Sequence, residues 1–466
     1  MISDVENRLR ALLPEATFRE KAPRYFEEPR GRYTGSAGLV LAPGSTEEVA
    51  EVLRVAHETN TPVIPYGGGT GLVGGQIAEG INDPIVLSVE HMNAIRAVHP
   101  SENVLVAEAG AILADVQTAA RDAGRIFPLS LASEGSARIG GLLATNAGGT
   151  GVLRYGNARD LTLGIEAVLA DGTIWHGLTR LRKDNAGYDL RNLLIGSEGT
   201  LGVITAAALK LSPIPAETGT AIFTIPSPDA ALELLAFTRS QVGEGISAFE
   251  LINRQGFEFL AETMPDVRLP FSDAPEWSVL IELGLPRGLP TEAAFESLFE
   301  AALEADLTAD AIIAQSEAQS QELWAVREQI PEANRRIGSV SSHDISMPLS
   351  EIPSFIRETP ARLAEIGDFR INCFGHVGDG NLHYNIFPMP GRSRADHENE
   401  RPAIKRTIHD LVHDRGGSVA AEHGVGRLKV EDLERYGDPT LLAMMRAVKG
   451  ALDPQGILNP GVMLRG

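Results

Sequence analysis

Three glycine clusters in the first half of the chain restrict what it can fold into. They read PYGGGTGLVGG at 65–75, GSARIGGLLATNAGGTG at 135–151 and IGSEGTLGVIT at 195–205. Glycine permits positive φ and lets backbone N–H groups approach a ligand closely, so successive glycines can build an anion-binding nest. Three clusters in one domain favour a diphosphate ligand, although any one of them alone is more typical of a structural turn.

These clusters do not fit the two best-known phosphate-binding motifs. None is a full nicotinamide fingerprint, in which G-x-G-x-x-G opens a helix and an acidic residue follows about 20 positions later. The sequence GxxxxGK[ST] is absent as well. The phosphates of a cofactor must therefore be bound by a backbone arrangement that differs from these two motifs.

Hydrophobic periodicity predicts an α/β domain up to about residue 213 and a different order of strands and helices after it. TEEVAEVLRVAHETN, from residue 46, is typical of an amphipathic helix, and TPVIPYGGG, from residue 61, of a short strand that enters the first glycine cluster. After the proline-rich 211–219 the pattern becomes strand, turn, helix and strand, which predicts a second layer of strands and helices. The predicted domains are 1–213, 214–414 and 415–466.

Charge and cysteine content limit the partners and the compartment. The 466 residues include 41 basic and 62 acidic ones, and the formal charge of −21 opposes binding to nucleic acid or to an anionic membrane. A single cysteine, Cys373, excludes an internal disulfide. The N-terminus lacks the pattern of a secretory signal, and no apolar stretch is long enough to span a bilayer. We therefore expect a cytoplasmic protein.

The segment GHVGDGNLHYNI at 375–386 places two histidines on either side of an Asp-Gly pair. Such a pair between β-type residues predicts a hairpin with a two-residue loop, here Asp379-Gly380. That loop would make His376 and His383 direct cross-strand neighbours, with Cβ atoms about 4.5–5.5 Å apart, so both rings could reach one metal ion. The alternative is a polar pair on the surface of a sheet.

Six segments in chain order form a longer pattern: PYGGGTGLVGGQ, RIGGLLATNAGG, LRKDNAGYDLRNLLIGSEGTLGVIT, GHVGDGNLH, AEHGVGRLK and LNPG. Together they resemble the flavin-dependent D-2-hydroxyacid dehydrogenases of the vanillyl-alcohol oxidase-like flavoprotein superfamily, a group that includes D-2-hydroxyglutarate and D-lactate dehydrogenases. The resemblance implies an α+β fold. Its parts would be a two-subdomain α/β FAD-binding domain of the PCMH type, an antiparallel-sheet cap domain for the substrate, and a C-terminal helical segment that returns to the flavin.

The resemblance implies that the glycine clusters bind FAD. The residues that it assigns to the pyrophosphate loop, the flavin lining and the isoalloxazine are Tyr66, Gly67, Gly68, Gly69, Thr70, Gly71, Gly135, Gly140, Gly141, Thr145, Gly148, Gly149, Glu198, Gly199, Gly202 and Asn459. Some members of the superfamily tether the flavin through a histidine in the first loop. Residues 65–76 contain no histidine, so we expect FAD to be bound non-covalently.

The resemblance also implies a metal site and a catalytic base. His376, His383 and Glu422 would bind Zn²⁺ or Mn²⁺, and three protein ligands leave a position for substrate or water. His423 is the candidate general base, because an imidazole titrates near neutral pH. An isolated EHG sequence would otherwise be typical of a surface turn.

Two further residues match substrate-binding positions of relatives. Arg327, on a predicted helix, would bind the substrate carboxylate through its planar guanidinium, and Asn385 would contact the substrate. Relatives that use dicarboxylates carry a lysine in place of Ser342 and a threonine in place of Pro331. These departures favour substrates with a neutral tail, unless Arg335 or Arg336 supplies the second cation.

The predicted reaction is oxidation of a D-2-hydroxyacid to the 2-oxoacid by hydride transfer to flavin N5. The electron acceptor would be an electron-transfer flavoprotein or a quinone, and the resemblance also allows a homodimer. Three alternatives are an oxidase that uses oxygen, a metal hydrolase in which the glycine clusters are only turns, and a flavin-binding module without catalysis.

Overall fold

The structure, a computed structural model, describes residues 2–465. The chain divides into two compact units. Unit 1 contains the residues up to Gly148, the segment Gly156–Ile214 and the residues from Glu422 onward, and unit 2 contains Gly149–Tyr155 and Pro215–Ala421. Within the described residues, no helix has both the length and the apolar character needed to cross a membrane.

Strands and helices are numbered in chain order. The strands are β1 (Leu39–Leu41), β2 (Val63–Tyr66), β3 (Ile85–Ser88), β4 (Ile95–His99), β5 (Val104–Glu108), β6 (Arg125–Ile126), β7 (Thr162–Val168), β8 (Ile174–Gly177), β9 (Val203–Lys210), β10 (Ser212–Pro213), β11 (Glu217–Ile225), β12 (Ile246–Asn253), β13 (Trp277–Leu285), β14 (Ala311–Ile313), β15 (Ser341–Ser346), β16 (Arg370–Gly375) and β17 (Asn381–Phe387). The α-helices are α1 (Ile2–Arg10), α2 (Thr46–Thr59), α3 (Leu113–Asp122), α4 (Ile139–Ala144), α5 (Val152–Tyr155), α6 (Leu190–Leu194), α7 (Pro228–Val242), α8 (Arg254–Thr263), α9 (Thr291–Glu304), α10 (Glu317–Ile337), α11 (Ile352–Ala364), α12 (Arg401–Asp414), α13 (Val430–Tyr436) and α14 (Pro439–Leu452).

Among residues 2–465, unit 1 contains three sheets, one of which is the two-stranded antiparallel sheet β10-β6. A parallel sheet has the order β1-β3-β2, and an antiparallel sheet has the order β4-β5-β9-β7-β8. The C-terminal segment joins the parallel sheet beside β2, because the Val63 amide donates to Ile457 O at 2.8 Å and the Asn459 amide donates to Val63 O at 2.9 Å. Residues 457–459 are thereby attached to the strand that leads into the first glycine cluster.

Unit 2 is built on one antiparallel sheet with the order β14-β11-β13-β12-β16-β17-β15. Side chains alternate between the two faces of a strand. On β12, Phe249 and Leu251 belong to the core formed with α7, α9, α11 and α12. Ile252, from the other face, belongs to the core formed with α8 and α10. Glu250 has the same parity as Ile252 and lies on the face covered by α10.

The α+β organisation expected from the sequence is confirmed. The helix predicted from residue 46 is α2, where the Ser45 hydroxyl accepts a bond from the Glu48 amide at 3.2 Å and Asn60 ends the helix with a φ of +51°. The sequence-based domain boundaries stay predictions. The structure itself divides the chain at Ile214 and Ala421, and it assigns 149–155 to unit 2, which no sequence pattern indicated.

Candidate active site

The first glycine cluster follows β2 directly. A side chain at Gly68 is not tolerated, because a Cβ there would lie 2.2 Å from the carbonyl oxygen of Ser136 in the second cluster. Gly69 has a φ of +74°, a conformation that favours glycine. The Gln76 side-chain amide donates to Gly71 O at 2.8 Å and fixes the far end of the loop. The first cluster is therefore a tight backbone loop pressed against the second.

The second and third clusters meet at the end of α4. The Gly196 amide donates to Leu143 O at 2.9 Å, and the Glu198 amide donates to Ala144 O at 2.8 Å. Because the first cluster also contacts the second, the three loops form one connected surface of backbone in unit 1. Such a surface can present several N–H groups to one anion.

Glu198 ties this surface to the C-terminal segment of the chain. Its two carboxylate oxygens accept bonds from the backbone N–H groups of Val425 and Gly426, each at 2.7 Å. Burial raises the pKa of Glu198, an effect that the two backbone N–H groups oppose. The Asn459 side-chain amide donates to Glu198 O at 2.8 Å. Glu198 therefore positions Val425 and Gly426, two and three residues after His423.

Replacing Glu198 with alanine is expected to lower the free energy of unfolding by about 2–4 kcal/mol, because two largely buried backbone N–H groups lose their acceptors. Glu198→Gln keeps one acceptor oxygen and should lose less. Thermal unfolding of the FAD-loaded protein followed by circular dichroism measures both. Equal melting temperatures for Glu198→Ala and the unchanged protein would contradict this role.

The three loops line a cavity in unit 1. Of the residues predicted to bind FAD, its lining contains Tyr66, Gly67, Gly68, Gly69, Thr70, Gly71, Gly140, Gly141, Thr145, Glu198, Gly199 and Gly202. The candidate base His423 lies in the same lining. Gly135, Gly148 and Asn459 are not among the lining residues, and Gly149 belongs to unit 2. The structure therefore brings together most of the predicted FAD set and His423.

The residues of this region fit FAD. Connected loops without side chains can admit the pyrophosphate close to backbone N–H groups. Asn459, held in a positive φ of +44°, is buried, and its side-chain nitrogen is fully used by Gly75 O and Glu198 O. Its side-chain oxygen has no hydrogen-bond partner within residues 2–465. A buried amide oxygen of this kind can accept an N–H from a bound ligand.

The hairpin around Asp379 differs from its prediction. The predicted two-residue loop and direct pairing of His376 with His383 are wrong. Residues Val377–Asp379 form a 3₁₀ turn closed by Gly380 at a φ of +88°, so the loop is longer. In the observed register His383 pairs with Phe374, and His376 lies in the loop.

The two histidine rings are nevertheless close together in unit 2. Their centroids lie 5.5 Å apart, and a ring nitrogen of His376 lies within 4.8 Å of one of His383. His383 Nδ1 lies 3.9 Å from Asp344 Oδ1 on the neighbouring strand β15. The longer loop thus brings both imidazoles to one place without cross-strand pairing.

A buried carboxylate joins His376 to the predicted substrate arginine. Glu250 Oε1 lies 2.6 Å from His376 Nδ1, and Glu250 Oε2 accepts a bond from Arg327 Nε at 2.8 Å. Burial alone would raise the pKa of Glu250, but His376 and Arg327 outweigh it and lower the pKa to about 2. Glu250 is therefore a charged group with a partner on each oxygen.

Arg327 lies on α10, as predicted, and its orientation is fixed. Nε is used by Glu250, and the guanidinium carbon lies 4.8 Å above the ring of Phe374. Within the described part of the chain, its two terminal amino groups donate no hydrogen bond. Two parallel N–H groups of this kind match a carboxylate. Arg335 and Arg336, by contrast, are exposed and pair with Glu332.

Asn385 and Ser342 face each other across strands β17 and β15. They are register partners, and Asp344 pairs with His383 one step further along the same face. The side-chain oxygen of Asn385 accepts the His343 amide at 3.2 Å, and its side-chain nitrogen donates no bond to the described residues. Ser342 is exposed and bonds to Ser339 Oγ at 2.7 Å. The sequence departure at 342 therefore lies beside a predicted substrate residue.

Glu422 is the first residue of the C-terminal segment of unit 1. A single peptide bond joins it to Ala421, the last residue of unit 2, whose amide donates to Asp344 O at 3.4 Å. Sequence reasoning did not identify Glu250 or the tie made by Glu198. The only signal for Glu250 was one carboxylate within the otherwise uncharged strand ISAFELIN.

Comparison with known proteins places the chain in a class. A family described as FAD binding domain matches residues 37–177, and one described as FAD linked oxidases, C-terminal domain, matches 214–463. A mitochondrial D-2-hydroxyglutarate dehydrogenase of Bos taurus is 40% identical over 92% of this chain and 77% of that protein. A D-2-hydroxyglutarate dehydrogenase of Xanthomonas citri is 36% identical over 92% of this chain and 90% of that protein.

A solved structure shares the fold at low sequence identity. p-Cresol methylhydroxylase with bound substrate matches with a TM-score of 0.78 over 99% of this chain and 97% of that chain, at 15% identity. Likeness at that identity concerns the fold alone, and it confirms the PCMH-type prediction.

These matches define an FAD-linked oxidoreductase with an FAD-binding domain and a C-terminal domain. Within that class, the chain belongs to the family of FAD-dependent D-2-hydroxyacid dehydrogenases. It is an FAD-dependent dehydrogenase, which removes the metal hydrolase and the non-catalytic flavin module as alternatives.

Proposed function

We propose that this dehydrogenase oxidises a D-2-hydroxyacid to the 2-oxoacid with the help of a divalent metal. Bound FAD supplies a hydride acceptor at N5, and a bound Zn²⁺ or Mn²⁺ supplies a Lewis acid for the substrate hydroxyl. One observation carries the proposal. In unit 2, Arg327, whose two terminal amino groups donate no hydrogen bond to the described residues, is attached through Glu250 to one of two neighbouring histidines.

The donor set suits a metal of this type. His376 has a hydrogen-bonded carboxylate on its Nδ1 side, Glu250 at 2.6 Å, which is the usual outer partner of a metal-binding imidazole, and on His383 the Asp344 carboxylate lies on the same side at 3.9 Å. Nε2 of each ring is then the proposed ligand atom. Glu422, one peptide bond from the end of unit 2, is proposed as the carboxylate ligand.

The remaining residues have separate roles. Arg327 binds the substrate carboxylate through its terminal amino groups, and the Asn385 side-chain nitrogen donates to the substrate. His423 accepts the proton of the hydroxyl group, because a neutral imidazole is a suitable base near neutral pH. Its location in the lining of the FAD cavity supports this role.

Release of the flavin tests the cofactor part of the proposal. Acid precipitation should leave FAD in the supernatant, because residues 65–76 offer no histidine for a covalent bond. Yellow colour that stays with the precipitate would indicate a covalent flavin. A colourless preparation that gains no activity with added FAD would contradict the assignment altogether.

D-2-Hydroxyglutarate and D-lactate-like monocarboxylates are both proposed substrates. The Bos taurus and Xanthomonas citri relatives are named for the first, and a relative in Schizosaccharomyces pombe carries a provisional name as a D-lactate dehydrogenase. Arg327 provides for one carboxylate. Arg335 and Arg336 pair with Glu332, which argues against a second cation from that helix. Specificity constants for D- and L-2-hydroxyacids with an artificial acceptor decide between the two, and a preference for L-acids would refute the stereochemistry.

Ser342→Lys is expected to raise the specificity constant for D-2-hydroxyglutarate relative to D-lactate by about fivefold. The added ammonium would be a partly exposed ion-pair partner for the distal carboxylate, worth about 1 kcal/mol. Ser342→Ala removes the hydroxyl without adding charge and should leave the ratio unchanged. An unchanged ratio in the lysine variant would show that selectivity lies elsewhere.

An electron-transfer flavoprotein or a quinone is proposed as the electron acceptor. The dehydrogenase names of the relatives support this choice over oxygen. Reduced enzyme mixed with air should form hydrogen peroxide slowly and reduce an added quinone rapidly. Fast stoichiometric peroxide formation without any other acceptor would indicate an oxidase.

A further inference from the structure

Glu250 lies at the centre of the polar cluster in unit 2 and is fully buried on the β12 face that α10 covers. A buried carboxylate needs a partner for each oxygen, and here the partners come from two different elements. One is His376 in the hairpin loop, and the other is Arg327 on α10. Within the described residues these two side chains meet through this single carboxylate.

We infer that Glu250 is a positioning residue that couples metal binding by His376 to substrate binding by Arg327. The inference rests on the proposed function. Glu250 accepts a hydrogen bond from the Nδ1–H of His376, which fixes the tautomer whose Nε2 lone pair can bind a metal. It also holds Arg327 by Nε, so that the two terminal amino groups keep one direction.

The negative charge of Glu250 makes metal binding and substrate binding favour each other. Without it, the cation of Arg327 and a divalent ion on His376 would repel each other in a buried region. Loss of Glu250 should therefore weaken both ligands together. A residue with a purely structural role would instead change stability without a matched change in metal affinity and in KM.

The chain offers a matched control. Glu282 lies on β13, and its carboxylate accepts a bond from Trp324 Nε1 at 2.9 Å. Trp324 precedes Arg327 by three residues on α10, so both carboxylates connect the same sheet face to the same helix. Glu282, however, has a neutral partner on α10 and has no bond to either histidine.

The experiment measures Zn²⁺ affinity of the FAD-loaded full chain by competition with a chromophoric chelator, and kcat and KM with D-lactate and D-2-hydroxyglutarate. Glu250→Gln is expected to weaken Zn²⁺ binding about 10- to 100-fold and to raise KM, with FAD content unchanged. Glu250→Asp, which is too short to reach both partners, should be intermediate. Glu282→Gln should stay within twofold of the unchanged protein in both quantities.

A second variant separates positioning from misfolding. Glu250→Gln leaves Arg327 buried without its partner, which can destabilise unit 2. Glu250→Gln combined with Arg327→Met removes that unpaired charge. If the inference is right, the double variant recovers its melting temperature but only part of its Zn²⁺ affinity, because the Arg327 charge is gone while His376 still lacks the Glu250 carboxylate on Nδ1. Full recovery of Zn²⁺ affinity along with stability would overturn it.

The outcomes distinguish the inference from the function on which it rests. If the unchanged protein binds Zn²⁺ and oxidises a D-2-hydroxyacid, but Glu250→Gln matches it in Zn²⁺ affinity and KM, only the role of Glu250 is refuted. If the unchanged protein binds neither Zn²⁺ nor Mn²⁺, the metal part of the proposed function is refuted, and the coupling is refuted with it.

Discussion

His376→Ala is expected to remove the metal and to lower turnover of a D-2-hydroxyacid about a thousandfold, while FAD stays bound. A Lewis acid on the substrate hydroxyl contributes several kcal/mol to the transition state, and a loss of about 4 kcal/mol corresponds to that factor. FAD should stay because the glycine loops and the cavity that they line belong to unit 1, whereas His376 belongs to unit 2.

Metal content by elemental analysis and the flavin spectrum measure this prediction together. Chelation of the unchanged protein should reproduce the loss of turnover, and added Zn²⁺ should restore it, but not in His376→Ala. His409→Gln is the control. His409 is another buried histidine of unit 2, paired with His343 at 3.1 Å, and is not one of the proposed ligands. Loss of flavin together with the metal would indicate a structural site instead.

His423→Asn is expected to keep both FAD and metal and yet to slow reduction of the flavin by substrate about 10²- to 10⁴-fold, the range typical of a lost general base. The asparagine side chain is close in size to imidazole but cannot accept the hydroxyl proton at neutral pH. The neighbouring backbone should not move, because Glu198 holds Val425 and Gly426 independently of the side chain at 423.

Stopped-flow measurement of flavin absorbance without oxygen isolates this step from later electron transfer. His91→Asn changes an exposed position of unit 1, and its flavin should be reduced by substrate at the same rate as in the unchanged protein. The prediction fails if His423→Asn is reduced at that rate as well, since the base would then be another group. Loss of FAD from the variant would mean that His423 contributes to FAD binding rather than to proton transfer.

Local sequence signals predicted the elements well where the interactions that define them are local. Helix α2 was expected from residue 46 and spans Thr46–Thr59, because the residues that cap its two ends, Ser45 and Asn60, directly flank it in the sequence. The family motifs likewise indicated most of the residues that line the glycine-loop cavity of unit 1, since each glycine loop is a run of neighbouring residues with its own backbone conformation. The hairpin register was wrong. The Asp-Gly signal does not distinguish a two-residue loop from a 3₁₀ turn that carries the same pair.

The sequence alone determined that unit 1 would contain glycine loops able to admit a diphosphate, that His376 and His383 would lie on one hairpin, and that the chain has one cysteine and a large negative charge. These features depend on composition or on residues close in the chain. Only the tertiary structure decided that Glu250 joins His376, 126 positions away, to Arg327, 77 positions away. It also decided that Glu198 holds the segment after His423, 227 positions away at Val425. A buried carboxylate must find partners because desolvation is costly, and which groups become its partners depends on the strands and helices that the folded chain brings against it.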